Sequence, residues 1–312
     1  MTSPPRPLAR PALSVVVTVV GGGSVLRRML DALVGQVSPP TLQILVPYDD
    51  SRPEIGELGV AYPGVEFFSI GAIDTVRPVQ SPAGQHELFD RRRTGGLARA
   101  TGDLVAILED RAPPRPDWSA TMARLHASLP HAVIGGAIEC APTVRTIDWA
   151  FYACDFSRFA LPFEAGPRRW VSDVNVCYKR RAIDLTREVW TPRFHEPAVH
   201  WHLLERGETL YLSPEAIVDY HPACGSLRAV LSERLQWGQL FGWVRARSLS
   251  WPTRAAFVAV GPLLPLVLYL RLARLAGRLG RGRRFAGATP WILLLLVAWT
   301  AGEVRGYITK RA

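Results

Sequence analysis

Between residues 13 and 138 short apolar runs alternate with longer amphipathic stretches, which implies an α/β architecture: a mostly parallel sheet with helices on both faces. Two observations support this. The first run, Leu13 to Val20, is β-branched and continuous rather than alternating, as expected of a strand buried on both sides. The stretches between the runs carry apolar residues at helical spacing, as in Val25, Leu26, Met29, Leu30, Leu33 and Val34.

Leu13 to Val20 reads as the first strand. It runs into the flexible turn Gly21-Gly22-Gly23, after which Ser24 is the expected N-cap of a helix to about Gln36. Leu42 to Val46 and Val65 to Ile70 are the second and third strands. Leu88 to Ala100 is helical, with Gly95 and Gly96 weakening it. Leu104 to Leu108 is the fourth strand, Asp117 to Leu129 a helix and Ala132 to Ile138 a strand. The second half is less regular: a helix over Ile147 to Phe159, a strand over Val174 to Tyr178, and a helix over Pro197 to Arg206 closed by Gly207. Thr209 to Leu212 and Ala216 to Tyr220 are short strands, and Leu227 to Ser248 is a long helix. No internal repeat is present.

A chain of 312 residues accommodates one large domain or two smaller ones. The proline-rich residues 1–12 are expected to be mobile, and no signal peptide is evident, which places the main domain in the cytoplasm. Cys140, Cys154, Cys177 and Cys224 show no paired spacing and read as reduced thiols. Of the net charge of +10, the stretch from Trp251 onward carries +9, with Glu303 its one acid. The near-neutral main body argues against a nucleic-acid-binding domain, and the basic tail favours an anionic membrane surface. The tail holds two apolar segments, Ala255 to Leu270 and Pro290 to Ala301, each shorter than the roughly 20 residues that span a bilayer. Arg271, Arg274, Arg278, Arg281, Arg283 and Arg284 lie between them. A spanning pair would put these arginines outside, against the positive-inside tendency; helices in the interface or a re-entrant hairpin would not. A buried helical hairpin is the bland alternative.

Gly102 to Glu109-Asp110, followed by Pro113 and Pro114, is the stretch richest in chemistry. A strand ends there in paired carboxylates, and ligands of open α/β sheets bind beyond the carboxyl ends of strands. Such a pair can hold a divalent cation and through it a diphosphate; the alternative is a solvated acidic turn.

The order and spacing of several segments resemble a family 2 glycosyltransferase with the GT-A (nucleotide-diphospho-sugar transferase) fold. These are Leu13 to Thr18 with Leu26 to Leu33; Gln43 to Val46 running into Asp49-Asp50-Ser51; Gly95 to Asp110; and Val174-Asn175-Val176-Cys177-Tyr178-Lys179-Arg180. The match covers roughly Leu13 to His221. It implies a GT-A catalytic domain over 13–224, followed by a helical connector over 225–254 and a membrane-associated helical hairpin over 255–312.

The resemblance implies transfer of a sugar from a nucleotide-sugar donor. It makes Asp110, with Glu109, the contact for a divalent cation (Mg or Mn) and the diphosphate. Asp49 or Asp50 would meet the nucleobase or ribose, Thr18 would lie at the nucleotide's edge, and Arg99 would reach the diphosphate or be a plain surface arginine. His221 resembles a histidine that reaches the metal or diphosphate, with a structural histidine as the alternative. Glu196, in Phe194-His195-Glu196-Pro197, matches the catalytic base; Pro197 at the first helical turn would make Glu196 the N-cap. The usual DxD motif reads Glu109-Asp110-Arg111 here, so a cation replaces the last acid and Arg111 can itself neutralise phosphate. His195, His200 and His202 do not form HExxH, and Gln236-Trp237 lacks the arginine of the QxxRW motif of processive synthases.

The expectation is therefore an inverting transferase at the cytoplasmic face of the membrane. Its acceptor would be lipid-linked or an envelope glycan. A nucleotidyltransferase on a similar fold and a non-catalytic membrane scaffold are the alternatives.

Overall fold

In the computed structural model the described residues are 10–247 and 249–309. Most of the expected mobile stretch, Ser248 at the end of the long helix, and Lys310 onward lie outside them. Residues 10–12 are tied down, since Arg10 Nε donates to the Thr101 carbonyl at 2.7 Å and Ala12 N to Thr41 Oγ1 at 2.9 Å.

Eight strands form one sheet: β1 (Leu13–Thr18), β2 (Leu42–Tyr48), β3 (Val65–Ser69), β4 (Leu104–Glu109), β5 (Val133–Cys140), β6 (Gly166–Arg168), β7 (Asn175–Lys179) and β8 (Leu210–Tyr220), in the order β3-β2-β1-β4-β7-β5-β8-β6. β3, β2, β1 and β4 run parallel. β7 is antiparallel to both β4 and β5, and β6 is antiparallel to β8. The sheet is therefore mixed, which corrects the expectation of a mostly parallel one: the parallel order holds for the first four strands, and β7 then inserts between β4 and β5. β8 continues through Pro214, where sequence suggested two strands. It pairs with β6 only over Leu210 to Leu212, so the missing N–H of Pro214 breaks no bond there.

The helices are α1 (Gly23–Val34), α2 (Pro82–Arg99), α3 (Trp118–Ser128), α4 (Thr146–Asp155), α5 (Arg180–Leu185), α6 (Arg187–Trp190), α7 (Glu196–Glu205), α8 (Leu227–Ala246), α9 (Trp251–Val260), α10 (Leu264–Arg278) and α11 (Gly282–Thr309). Gly22, at φ 66°, is the N-cap of α1, which corrects the expectation of Ser24. α2 starts six residues earlier than expected and continues through Gly95 and Gly96. A Cβ on Gly96 would lie 2.2 Å from Val16 Cγ1 and one on Gly95 2.7 Å from Ile70 Cγ2. The two glycines thus cost helix propensity but let α2 sit close on the sheet.

The chain divides into two compact units: Met1–Asp74, Glu87–Ala137 and Glu164–Asp219 in the first, and Thr75–His86, Ile138–Phe163 and Tyr220–Ala312 in the second. In the first unit, Asn175 holds the strand junction. It is fully buried, accepts from Trp118 Nε1 at 2.9 Å, and donates to the carbonyls of Ala137 and Ala216 at 2.9 and 3.0 Å.

In the second unit, α11 packs along α8 and α4. Gly238 and Gly242 of α8 face Gly302 and Gly306 of α11. A Cβ on any of the four would come within 2.3 Å of a backbone carbonyl oxygen on the other helix. The two backbones therefore touch along a seam of small residues four apart. The segment Trp251–Arg278 and α11 are each 28 residues long and, by length and composition, apolar enough to cross a membrane, longer than the sequence runs suggested.

Replacing Asn175 by Leu leaves a buried indole N–H and two carbonyls unpaired. The expected loss is about 3 kcal/mol or more, since each buried orphan costs about 1–3 kcal/mol. An unchanged denaturant midpoint would remove Asn175 from this structural role.

Candidate functional site

The parallel order β2-β1-β4 places a topological switch beside β1, and the carboxyl ends of these strands are where such sheets bind ligands. Thr18 and Glu109 are register partners at those ends. Thr18 is fully buried and its hydroxyl has no hydrogen-bond partner. Asp110, also fully buried, follows β4 and turns onto the glycine turn after β1. Its oxygens accept from Gly21 N at 3.0 and 3.1 Å and from Gly22 N at 2.7 Å. Burial pushes its carboxyl above the usual range, while the N–H groups of Gly22, Gly21 and Val20 pull the other way.

At the end of β2, Asp49 is buried and Asp50 exposed. Asp49 Oδ2 accepts from Arg92 Nε at 2.7 Å, and Arg92 Nη1 also donates to the Val19 carbonyl at 2.6 Å. Burial alone would raise the Asp49 carboxyl, but the Ser51 hydroxyl and the Arg92 guanidinium outweigh it and hold it below its ordinary value. Asp50 accepts a long bond from Ser69 Oγ at 3.3 Å.

The next residue of α2, Arg93, is the centre of a buried charge cluster. Its guanidinium lies 3.1 Å from Asp90, 2.9 Å from Glu109 and 3.0 Å from Asp173. Asp90 is also held by Arg193 at 2.6 Å. Burial opposes the Arg93 charge, yet Asp173, Glu109, Asp90 and Glu196 together keep it firmly protonated. One cation shared this widely does not compensate every acid. Burial pushes Glu109 up to about 7 despite Arg93 and Arg111.

Glu196 closes the cluster. It is the first residue of α7, with His195 as N-cap; this corrects its expected place as the cap, Pro197 still falling in the first turn. Glu196 Oε2 accepts from Asp173 N at 3.0 Å, while the buried Oε1 has no hydrogen-bond partner. Burial, then the Asp173 charge, hold this carboxyl well above its ordinary value. His200 Nδ1 lies 3.6 Å from Glu196 Oε1, and its Nε2 is 3.0 Å from Tyr178 Oη. Burial lowers His200 to about 3, so the ring is neutral.

The structure thus gathers Thr18, Asp49, Glu109, Asp110, Arg111 and Glu196 in the first unit. It does not bring Arg99 to them. Arg99 ends α2 beside the amino ends of the strands, paired with Glu66 and lying 4.7 Å from the Phe68 ring centre. This corrects the diphosphate role expected for it and matches the plain surface arginine. His221 follows β8 and belongs to the second unit. Arg92, Arg93, Asp90 and Asp173 were not expected from sequence. The run Asp90-Arg91-Arg92-Arg93 reads as a solvated charged face; the adjoining Gly95-Gly96 pair was the available sign that this helix lies deep.

Among the described residues no group of three or more His, Cys, Asp or Glu side chains is arranged to hold a metal ion. Asp110 is engaged by amides and Glu109 by Arg93, so this donor set does not fit a cation cage.

No protein-family model and no curated protein matches the sequence. Among solved structures, the chain is similar to the mannosyltransferase PcManGT from Pyrobaculum calidifontis in complex with GDP-Man and Mn2+. The TM-score is 0.50 at 16% identity, covering 96% of this chain and 89% of that one. The likeness is one of fold, a glycosyltransferase fold.

A raised carboxyl binds its proton more tightly folded than unfolded, so folding stability must fall as pH rises above about 4.5, the ordinary value for Glu196. Glu196→Gln, which mimics the protonated acid, should flatten that fall and raise the unfolding temperature at pH 8 relative to the native chain. An equal pH slope in both proteins would contradict the burial of this charge.

Proposed function

We propose that the chain is an inverting glycosyltransferase that moves a sugar from a nucleotide-diphosphate donor to a hydroxyl acceptor. The observation that carries this reading is the convergence at the carboxyl ends of β1, β2 and β4. There an acidic strand-end turn, a glycine turn and a buried carboxyl with one unoccupied oxygen sit together on a glycosyltransferase fold. The similar mannosyltransferase, which was solved with GDP-Man, supports the nucleotide-sugar class.

Glu196 is the base in this reading. A carboxyl held above its ordinary range is a stronger proton acceptor once ionised, and general bases work best near the operating pH. Its unpartnered Oε1 is the atom that takes the acceptor's proton. Asp50, the exposed acid after β2, would receive the ribose or base hydroxyls while Asp49 holds Arg92, and Thr18 would lie at the nucleotide's edge. Arg111, which acts electrostatically on both Glu109 and Asp110, would neutralise the departing diphosphate. No step is routed through a cation, because the carboxylates that would hold one are already bonded. The exposed apolar helices and basic charge of the tail support a membrane-proximal acceptor at the cytoplasmic face, lipid-linked or an envelope glycan.

The first test is thermal stabilisation by UDP, GDP, ADP and dTDP, each with and without manganese. One nucleoside diphosphate should raise the unfolding temperature in both the native chain and Glu196→Gln, while Glu196→Gln loses at least about a hundredfold in transfer, as general-base removal does. Release of pyrophosphate would instead identify a nucleotidyltransferase. No stabilisation by any nucleotide would sink the transferase reading.

A further inference from the structure

The neighbours of α11 within the second unit bear on how the tail meets a membrane. At its start, Arg281 Nη2 donates to Glu139 Oε2 of β5 at 2.7 Å, and the Arg284 guanidinium lies 5.4 Å from the centre of the Trp149 ring on α4. Further along, Arg234 of α8 makes a two-pronged bond to Asp155 of α4 at 2.6 and 2.8 Å and lies 6.0 Å from the Trp299 ring centre. The same stretch of α8 also meets the first turn of α2. Gln236 Oε1 accepts from Ala83 N at 3.1 Å, and the Trp237 ring is 5.3 Å from His86.

The Arg234–Asp155 ion pair therefore lies beside α11 at the level of Trp299, about 22 Å beyond Arg284 at 1.5 Å per residue. If α11 stood upright in a bilayer with Arg284 at one headgroup layer, this pair would lie within the far half of a core about 30 Å thick. An ion pair at that depth is costly in lipid.

The helix pair α9–α10 is the opposite case. Val260, Leu263, Leu266 and Leu270 are exposed, and Leu294 and Val297 continue the apolar surface on the outer face of α11. Arg271, Arg274, Arg278, Arg283 and Arg284 are exposed around the turn that joins α10 to α11.

We propose that α9–α10 and the outer face of α11 lie in the plane of one leaflet of an anionic bilayer, with the turn arginines on its phosphates, so that neither helix crosses. The uncovered apolar side chains would enter the acyl boundary, and the basic turn would supply the charge match. This rests on the membrane-proximal reading above.

The test uses the full chain with one introduced cysteine at Val76, Ser250 or Gly282, all exposed. Each variant is exposed to an impermeant maleimide in spheroplasts and in inside-out vesicles, and modification is read by mass spectrometry at the introduced residue. A Cβ at Gly282 meets nothing within 4 Å, so this substitution is sterically open. All three sites should react in the same preparation. Modification of Gly282→Cys only in the preparation where Val76→Cys is silent would show a crossing hairpin and overturn the proposal, leaving the membrane reading intact. Co-sedimentation with phosphatidylglycerol vesicles should exceed that with phosphatidylcholine. It should fall severalfold at high salt and in the triple variant Arg271→Gln, Arg274→Gln, Arg278→Gln. A chain that sediments with neither, or forms a dimer that ignores vesicles, would overturn this inference and the membrane reading together.

Discussion

The guanidinium of Arg93 is the interaction on which the candidate site depends. Asp90, Glu109 and Asp173 all sit within 3.1 Å of it, and Glu196 shares its field. Like charges this close repel strongly where water is excluded, so without the central cation β4, the turn before β7 and α7 could not keep their acids in one place. Arg93 reaches that position because α2 lies close on the sheet, and α2 lies close because Gly95 and Gly96 present no side chain to Ile70 and Val16. Two residues that weaken a helix locally thereby set the electrostatics of the site.

The cluster is also deliberately short of positive charge. Arg92 is committed to Asp49 and Val19, and Arg193 to Asp90, leaving Arg93 and the field of Arg111 for the remaining acids. That shortage keeps Glu109 and Glu196 above their ordinary range. A better-balanced site would have ionised carboxylates and weaker bases.

What was legible in the sequence was local. A continuous β-branched run announced β1 and short apolar runs announced β2 and β4, and the acids at the ends of β2 and β4 stood out because a strand end followed by a turn has a clear pattern. Glu196 was singled out by the family resemblance alone, with Pro197 marking the helix start beside it. What was not legible depends on distant partners. β7 carries no mark of its antiparallel insertion, since direction is decided by where the chain returns and not by which residues it contains. Arg92 and Arg93 are indistinguishable in sequence from surface arginines until their acids are seen arriving from the turn after β2, the end of β4 and the turn before β7. Arg99 failed as a donor contact for the same reason: a helix of 18 residues carries its last side chain to the far edge of the sheet. The cap of α1 falls on Gly22 and not Ser24, and the Gly22 amide is held by Asp110, 88 residues away.

The glycine seam between α8 and α11 has a consequence for how this chain can vary. Positions 238 and 242, and 302 and 306, are some 60 residues apart along the chain, yet each pair denies the other any side chain. A methyl group gained on one helix cannot be relieved by trimming its partner, which has nothing left to trim. The two stretches are therefore locked into joint inheritance, free to drift at their outer faces and frozen along the line where they touch.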